Sequence, residues 1–136
     1  MRSKIGIYIE QQDVFVGSLW ENISLGRPEV EVQFIISIAE NLGIAHFLEI
    51  MPQGFETMID PMGKKLPSTA VQKILLLRAF ANHPNLLLLE DPWLGLEDTT
   101  RQTMMDYFLR KKENQTIVVA SNDEGFAAKC DLHIKL

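Results

Sequence analysis

The feature that most constrains the fold is a run of four leucines, residues 86–89, followed by two adjacent acids, Glu90 and Asp91. A short strand that is apolar on both faces is typical of a parallel sheet covered by helices. Ligands bind at the carboxyl ends of the strands in open α/β sheets. Two carboxylates at that edge could hold a hydrated Mg²⁺ and orient a water molecule. The alternative is that these acids only begin a solvated loop.

Charge and composition exclude several functional classes. The net charge of −5 and the absence of a basic run argue against a nucleic-acid-binding surface. The single cysteine, Cys130, cannot form an internal disulfide and fits a reducing compartment. No apolar run reaches the roughly 18 residues of a membrane span. At 136 residues, the chain has the length of one domain and can bury a core.

Apolar periodicity and turn residues predict alternating strands and helices in the C-terminal half and a largely helical middle third. Ser18 and Glu21 have capping-box spacing at the start of a short helix, and Gly43 closes another helix. Ser68 is predicted to cap a long helix. The predicted strands are 5–9, 55–59, 86–89, 116–120 and 132–136, and the predicted helices are 29–42, 44–50, 68–81 and 98 or 99 to 111.

Several motifs in this order resemble the nucleotide-binding domain of an ABC transporter of the exporter type, and the resemblance covers the whole chain. Residues 17–23, G-S-L-W-E-N-I, are similar to the family's G-T-I-x-E-N-I stretch, and residues 54–57 are similar to its G-Y-D-T element. Further matches are the Q-loop strand at 5–11, the Walker B strand and D-loop at 86–97, and the last strand and H-loop at 116–123.

The resemblance implies an α/β fold, namely part of a P-loop NTPase parallel sheet flanked by helices, with an inserted helical subdomain. Residues 1–17 would form the Q-loop strand and loop of the ATPase core. Residues 18–82 would form the helical subdomain with a signature-like helix, and residues 83–136 the C-terminal α/β core.

The same resemblance implies roles for individual residues. Gln11 takes the place of the Q-loop glutamine, with Gln12 as the alternative. Glu90 and Gln11 would serve the Mg²⁺, and Asp91 would orient the attacking water. Asn122 stands in the H-loop position. The remaining candidates for nucleotide contact are Leu66, Ser68, Thr69 and Glu97.

Three of these positions depart from the family pattern. The L-S-G-G-Q signature is replaced by Leu-Pro-Ser-Thr-Ala at 66–70, where Pro67 removes a backbone donor and two Cβ atoms hinder close approach to a phosphate. The acidic pair has the reversed order, so Asp91 is one methylene short, and a displacement of about 1 Å can cost on the order of 10²-fold in rate. Asn122 can donate a hydrogen bond but cannot carry a positive charge.

The largest departure is the missing G-x-x-x-x-G-K-[ST] phosphate-binding loop, which lies upstream of the Q-loop in the family. We therefore expect residues 1–136 to correspond to the C-terminal part of a nucleotide-binding domain, with an uncovered sheet edge or apolar face. ATP and Mg²⁺ would bind the intact parent domain, and neither is expected to bind tightly to this chain alone.

Two hypotheses follow. In the first, the chain is part of an ABC transporter ATP-binding subunit, the degenerate partner in a composite site, and is not competent alone. In the second, it is a non-catalytic interaction module that retains the fold and docks onto a membrane domain or an active ATPase subunit. Both imply a second nucleotide-binding domain and a transmembrane domain as partners, at the cytoplasmic face of a membrane.

Overall fold

A computed structural model describes residues 4–63, 66–110 and 112–135. Its elements form an α/β fold that includes one short 3₁₀ helix. In chain order they are β1 (Ile5–Tyr8), β2 (Gly17–Ser18), α1 (Leu19–Ser24), α2 (Val32–Leu42), α3 (Ala45–Glu49), the 3₁₀ helix (Gly54–Glu56), β3 (Met58–Ile59), α4 (Ser68–Phe80), β4 (Leu86–Glu90), α5 (Asp98–Leu109), β5 (Thr116–Ala120) and α6 (Glu124–Ala128).

The main sheet has three parallel strands in the order β1-β4-β5, so the leucine run is the central strand. Tyr8 lies beside Leu89, and Glu90 lies beside Ala120, which aligns the carboxyl ends of all three strands at one edge. A small antiparallel pair, β2 with β3, lies apart from this sheet. The predicted α/β class with a parallel sheet and flanking helices is confirmed.

Helix α4 packs against β1 on one face of the sheet. The contact is close because residue 6 is glycine: a Cβ atom there would lie 2.1 Å from the carbonyl oxygen of Ala79. Helices α1 and α2 pack on α4, and α2 also packs on α5. Ile74, Leu76 and Phe80 of α4 are almost completely buried at the centre of one continuous core. This helix therefore joins the sheet to the helical middle of the chain.

The opposite face of the sheet is open to solvent. Ile5, Ile7 and Val118 are exposed on it, whereas Leu87 and Leu89 on the other face are buried. The expectation of an uncovered apolar face is confirmed within the described residues.

Two local predictions based on helix ends are confirmed. The Ser18 hydroxyl accepts a hydrogen bond from the Glu21 backbone N–H at 2.9 Å, and the Glu21 carboxylate accepts one from the Ser18 N–H at 2.8 Å. Gly43 ends α2 in the left-handed conformation, with φ of 77°, where glycine has no Cβ penalty.

Several predicted boundaries are wrong. Ser68 is the first residue of α4 rather than its cap: Pro67 precedes the helix, its carbonyl accepts the first bonds from Ala70 and Val71, and no side chain among the described residues caps this end. The predicted strand 55–59 is a 3₁₀ turn followed by a two-residue strand, because Gly54 and Glu56 close a tight turn. Helix α2 begins at Val32 rather than at 29.

The C-terminal predictions also need correction. Helix α5 begins at Asp98 and ends at Leu109; position 111, its predicted end, lies outside the described residues. The predicted last strand fails over 132–135, where the described chain has no strand and both Leu132 and Ile134 are exposed. A strand needs a neighbour to pair with, and β5 pairs only with β4. Residue 136 is not described.

Candidate functional site

Three loops meet at the carboxyl edge of the sheet, because the three parallel strands end in register. The loop after β1 carries Gln11 and Gln12. The end of β4 carries Glu90 and Asp91, and the loop after β5 carries Asn122. The structure thus brings the Q-loop-like, Walker B-like and H-loop-like positions to one edge of the sheet.

Glu90 joins two of these loops. Its Oε1 atom accepts a hydrogen bond from the backbone N–H of Glu10 at 3.1 Å. The residue is exposed, so the rest of the carboxylate is open to a cation or to water. This bond fixes the loop after β1 relative to the central strand at Glu10, the residue before Gln11.

Asp91 has a left-handed backbone, with φ of 41°, and its N–H donates to the carbonyl oxygen of Ala120 at 2.9 Å. A non-glycine residue in this region is uncommon, and Asp is among the residues that tolerate it best. The conformation turns the half-buried Asp91 out of the strand line just where the candidate site begins. The order Glu90-Asp91 therefore places the residue that tolerates positive φ at the strained position.

The acids give this edge a negative potential. Burial raises the pKa of the Tyr8 phenol, and the nearby carboxylates of Glu10, Glu90 and Asp91 raise it further. Such a field attracts cations. Among the described residues there is no group of three or more His, Cys, Asp or Glu side chains that could hold a metal by itself. A Mg²⁺ ion here would depend on Glu90 together with waters and substrate oxygens, which is the way Mg²⁺ is commonly held.

The two candidate glutamines differ in their surroundings. The side-chain oxygen of Gln12 accepts from the backbone N–H of Ile9 at 2.9 Å, and the Gln12 N–H donates to the Ile9 carbonyl at 3.2 Å. Gln12 is thus engaged in closing the turn after β1. Gln11 is exposed at the tip of the same turn.

The signature-like residues lie at the start of α4. Leu66 is half-buried and packs against the core, whereas Ser68 is exposed and Thr69 half-buried in the first turn. One turn further along, the buried Gln72 donates from Nε2 to the Pro92 carbonyl oxygen at 2.8 Å. That bond connects α4 to the segment that follows the acidic pair.

Asn122 and Glu97 occupy exposed loop positions. Asp123, the next residue, caps α6 by accepting from the Phe126 N–H at 2.8 Å. Glu97 precedes α5, and its carbonyl accepts from the Arg101 N–H at 2.8 Å. The nearby Trp93 is a core residue, since its ring packs edge-on against Phe126 with centroids 4.7 Å apart.

Sequence reasoning missed a polar cluster that ties the loop after β1 to the helices. Asn22 is fully buried: its side chain accepts from the Phe15 N–H at 2.9 Å and donates to the Phe15 and Ser18 carbonyls, each at 3.0 Å. Arg78 of α4 donates to the Asn22 carbonyl at 2.8 Å and to the Asp13 carbonyl at 3.2 Å. The feature of the sequence that could have revealed this cluster is Asn22, an asparagine directly before Ile23 on the apolar face of α1.

The match to known proteins is broad but covers only part of each relative. No protein-family model matches the chain. It is 30% identical over 132 residues to ABC transporter B family member 21 of Arabidopsis thaliana, a match to 97% of this chain and 10% of that protein. It is 26% identical over 131 residues to a probable ABC transporter ATP-binding/permease protein of Haemophilus influenzae, which covers 96% of this chain and 24% of that protein. A multidrug efflux ATP-binding/permease protein of Mycobacterium tuberculosis is 30% identical over 139 residues, 92% of this chain and 12% of the relative.

The fold agrees with these sequence relations. A bacterial Atm1-family ABC exporter, solved with ATP bound, superposes with a TM-score of 0.74 over 90% of this chain and 22% of its own, at 24% identity. None of the described helices is long and apolar enough to cross a membrane. The chain spans between about a tenth and a quarter of the curated relatives named above. In sequence the chain is similar to part of several ABC transporter ATP-binding/permease proteins, and in fold it is similar to part of an ABC exporter.

Proposed function

We propose that this chain is part of an ABC transporter ATP-binding unit, in which ATP binding and hydrolysis are coupled to transport across a membrane. It works at the cytoplasmic face, together with a transmembrane domain and a second nucleotide-binding domain. The observation that carries the proposal is the hydrogen bond between the Glu10 N–H and Glu90 Oε1, because it holds the Q-loop-like turn against the acidic end of the central strand.

Within this unit, Glu90 and Gln11 serve the Mg²⁺ shell and Asp91 orients water. Gln11 is the better candidate of the two glutamines, since the oxygen of Gln12 already accepts the Ile9 N–H. Asn122 and Glu97 lie on exposed loops that a γ-phosphate or a partner domain can reach.

We further propose that the chain is the degenerate partner of a composite site. Ser68 and Thr69 are the first two residues of α4, whose N-terminus favours anions. Their Cβ atoms, together with Pro67, stand where a glycine-rich signature would let a phosphate come close to the backbone. Phosphate contact from this side is therefore weaker than in a glycine-rich signature. The phosphate-binding loop of the functional site belongs to the partner.

The test is whether this chain associates, in the presence of ATP, with an isolated ATP-binding region from the Haemophilus influenzae relative. Sedimentation velocity measures the association. We expect a complex in Mg-ATP that dissociates without nucleotide. Ser68→Arg in the first turn of α4 should abolish it, whereas the matched control Thr99→Arg, in the exposed first turn of α5, should not. An association that is equally strong with and without nucleotide, and that Ser68→Arg does not weaken, would refute the composite site.

A second measurement concerns the chain alone. A ligand at 100 times its dissociation constant stabilises a folded receptor by about 2.7 kcal/mol. We expect no Mg-ATP-dependent shift in melting temperature at millimolar nucleotide. A clear shift that Glu90→Ala abolishes would show that the chain binds ATP without a partner.

The departures at Pro67–Thr69 also support a second candidate, the non-catalytic interaction module. The double substitution Glu90→Asp with Asp91→Glu, tested for ATP turnover in the complex with the partner, distinguishes the two candidate functions. Faster ATP turnover than with the unaltered chain would favour the catalytic role. Unchanged turnover, with association retained, would favour the interaction module.

A further inference from the structure

A cavity of about 280 Å³ lies at the amino edge of the main sheet, at the end opposite to the candidate site. Its walls come from three parts of the chain: helix α2, the loop between α4 and β4, and the loop between α5 and β5. The two loops lead into Leu86 and Thr116, which pair as the first residues of parallel strands. The cavity and the candidate site are therefore separate.

Aromatic rings form one wall of this cavity. The rings of Phe34 and His83 lie close together, with centroids 3.9 Å apart and an angle of 33° between their planes. Phe80 and Tyr107 also line the cavity and pack edge-on, with centroids 6.0 Å apart. Aromatic rings bind one another in offset-stacked or edge-on contacts. The wall therefore favours a planar aromatic ligand.

Two cations lie beside the same cavity. The Lys112 ammonium is 3.8 Å from the centre of the Tyr107 ring, and the Arg110 guanidinium is 5.4 Å from it. Among the described residues, neither cation forms an ion pair, not even with Glu113 on the cavity wall. Burial, and to a smaller extent the charge of Arg110, lowers the pKa of Lys112. A bound anion would offset both effects.

The Lys112 ammonium retains a donor for such an anion. A lysine ammonium has three N–H donors. The carbonyl oxygen of Tyr107 accepts one of them, and that of Arg110 accepts another at 2.9 Å. A ligand carboxylate can accept the third in a charge-assisted hydrogen bond, which is stronger than a bond between neutral groups.

Hydrogen bonds hold the two loops of the cavity together before any ligand binds. The Gln115 side chain donates from Nε2 to the Pro84 carbonyl oxygen at 3.0 Å. The Thr116 N–H donates to the Asn85 carbonyl oxygen at 2.7 Å. A pre-formed site loses less conformational freedom on binding, so these bonds favour ligand affinity.

We propose that this cavity binds a small aromatic carboxylate, with its ring against the Phe34–His83 wall and its carboxylate on the Lys112 ammonium. The volume limits the size of the ligand. Small-molecule sites measure roughly 300–1,000 Å³, so a cavity of about 280 Å³ suits a single ring of the size of benzoate.

Benzoate is the probe, added to the 136-residue chain and followed by the shifts of backbone amide signals in two-dimensional NMR spectra. We expect a dissociation constant of about 1 mM for so small a ligand. The signals that shift should belong to residues 83–85 and 113–116. Cyclohexanecarboxylate keeps the charge without the aromatic ring, and benzyl alcohol keeps the ring without the charge. Each should bind at least about fivefold more weakly than benzoate.

Two substitutions test the two halves of the site. Lys112→Met should weaken benzoate binding about tenfold. Lys73→Met is the matched control, because Lys73 is also half-buried and lies 5.9 Å from the centre of the Phe47 ring, but outside the cavity. His83→Asn keeps a residue type that tolerates the left-handed backbone at this position, where φ is 47°. It should remove the preference for benzoate over cyclohexanecarboxylate.

The pH dependence of binding gives a further readout. Lys112, with a pKa of about 8, loses its proton between pH 7 and pH 9, so the affinity for benzoate should fall about tenfold over this range. The other charged or titratable groups around this ammonium are Arg110, Tyr107, Glu113 and, on the opposite wall, His83. The fall should persist in His83→Asn and be absent in Lys112→Met.

Equal affinity for benzoate and benzyl alcohol, or an affinity that Lys112→Met leaves unchanged, would overturn the proposal. Amide shifts confined to other parts of the chain, or no saturable binding up to about 20 mM benzoate, would also overturn it. No nucleotide enters these measurements and the cavity lies away from the candidate site, so their failure is distinct from failure of the proposed function.

Discussion

Substituting Gly6 by alanine should be among the most damaging single-methyl changes in this protein. Gly6 lies on β1 directly under the backbone of α4, where an added Cβ would be 2.1 Å from the Ala79 carbonyl oxygen and 2.9 Å from a methyl group of Leu87. A backbone carbonyl cannot rotate aside as a side chain can. Relief therefore requires α4 and β1 to separate by about 1.2 Å, since such contacts need about 3.3 Å.

The cost follows from how firmly α4 is held. Overpacking a core costs typically about 1–3 kcal/mol and occasionally more. Leu75, Leu76 and Leu77 on α4 are at most 3% exposed, so the helix has packed neighbours on several sides. We expect Gly6→Ala to lower the free energy of unfolding by about 3 kcal/mol, which corresponds to a fall in melting temperature of roughly 10 °C for a domain of this size.

Urea unfolding followed by circular dichroism measures the effect, with Gly125→Ala as the control. Gly125 lies in α6 with ordinary space for a Cβ, 3.4 Å from the Asp123 carboxylate. Alanine there should be neutral or stabilising by up to about 1 kcal/mol, through helix propensity and a less flexible unfolded chain. A Gly6→Ala variant within about 0.5 kcal/mol of the unaltered protein, at an unchanged m-value, would refute the close contact between β1 and α4.

Three further perturbations test other parts of the structure. Asn22→Ala removes three hydrogen bonds of 2.9–3.0 Å to the partly buried Phe15 backbone and the buried Ser18 carbonyl, and a fourth of 3.4 Å from Arg78. We therefore expect a loss of about 2–4 kcal/mol in urea unfolding, and a loss below about 1 kcal/mol would contradict this account. Ser18→Ala removes the capping box of α1 and should cost about 1 kcal/mol, measured in the same way. Burial, and to a smaller extent the charge of Arg110, lowers the pKa of Lys112 to about 8 from an ordinary 10.5. Between these two pH values the unfolded chain binds more protons than the folded one, so the free energy of unfolding should rise from about pH 8 to 10.5. Lys112→Met should flatten that rise in unfolding curves measured across this pH range.

The sequence predicted those features that depend on short stretches of chain. The leucine run and the following acids specify the central strand and its polar end, and the spacing of Ser18 and Glu21 specifies the capping box. Propensity alone gave wrong answers where two signals competed. Ser68 is a good cap by residue type, but the fixed φ of Pro67, −56°, with an extended ψ of 149°, starts the helix one residue earlier.

The tertiary structure decided what depends on neighbours far apart in sequence. Leu132 and Ile134 have a strand-like pattern, yet no described strand lies beside them, and backbone pairing rather than pattern makes a strand. Asp91, with its positive φ, donates its N–H to Ala120 on the next strand, and Gly6 is required only because α4 crosses it. By itself, therefore, the sequence determined the class of fold and the central strand with its two following acids, because local patterns encode them. The bonds of Arg78 to the Asn22 and Asp13 carbonyls and the open face of the sheet were decided only when distant segments packed together.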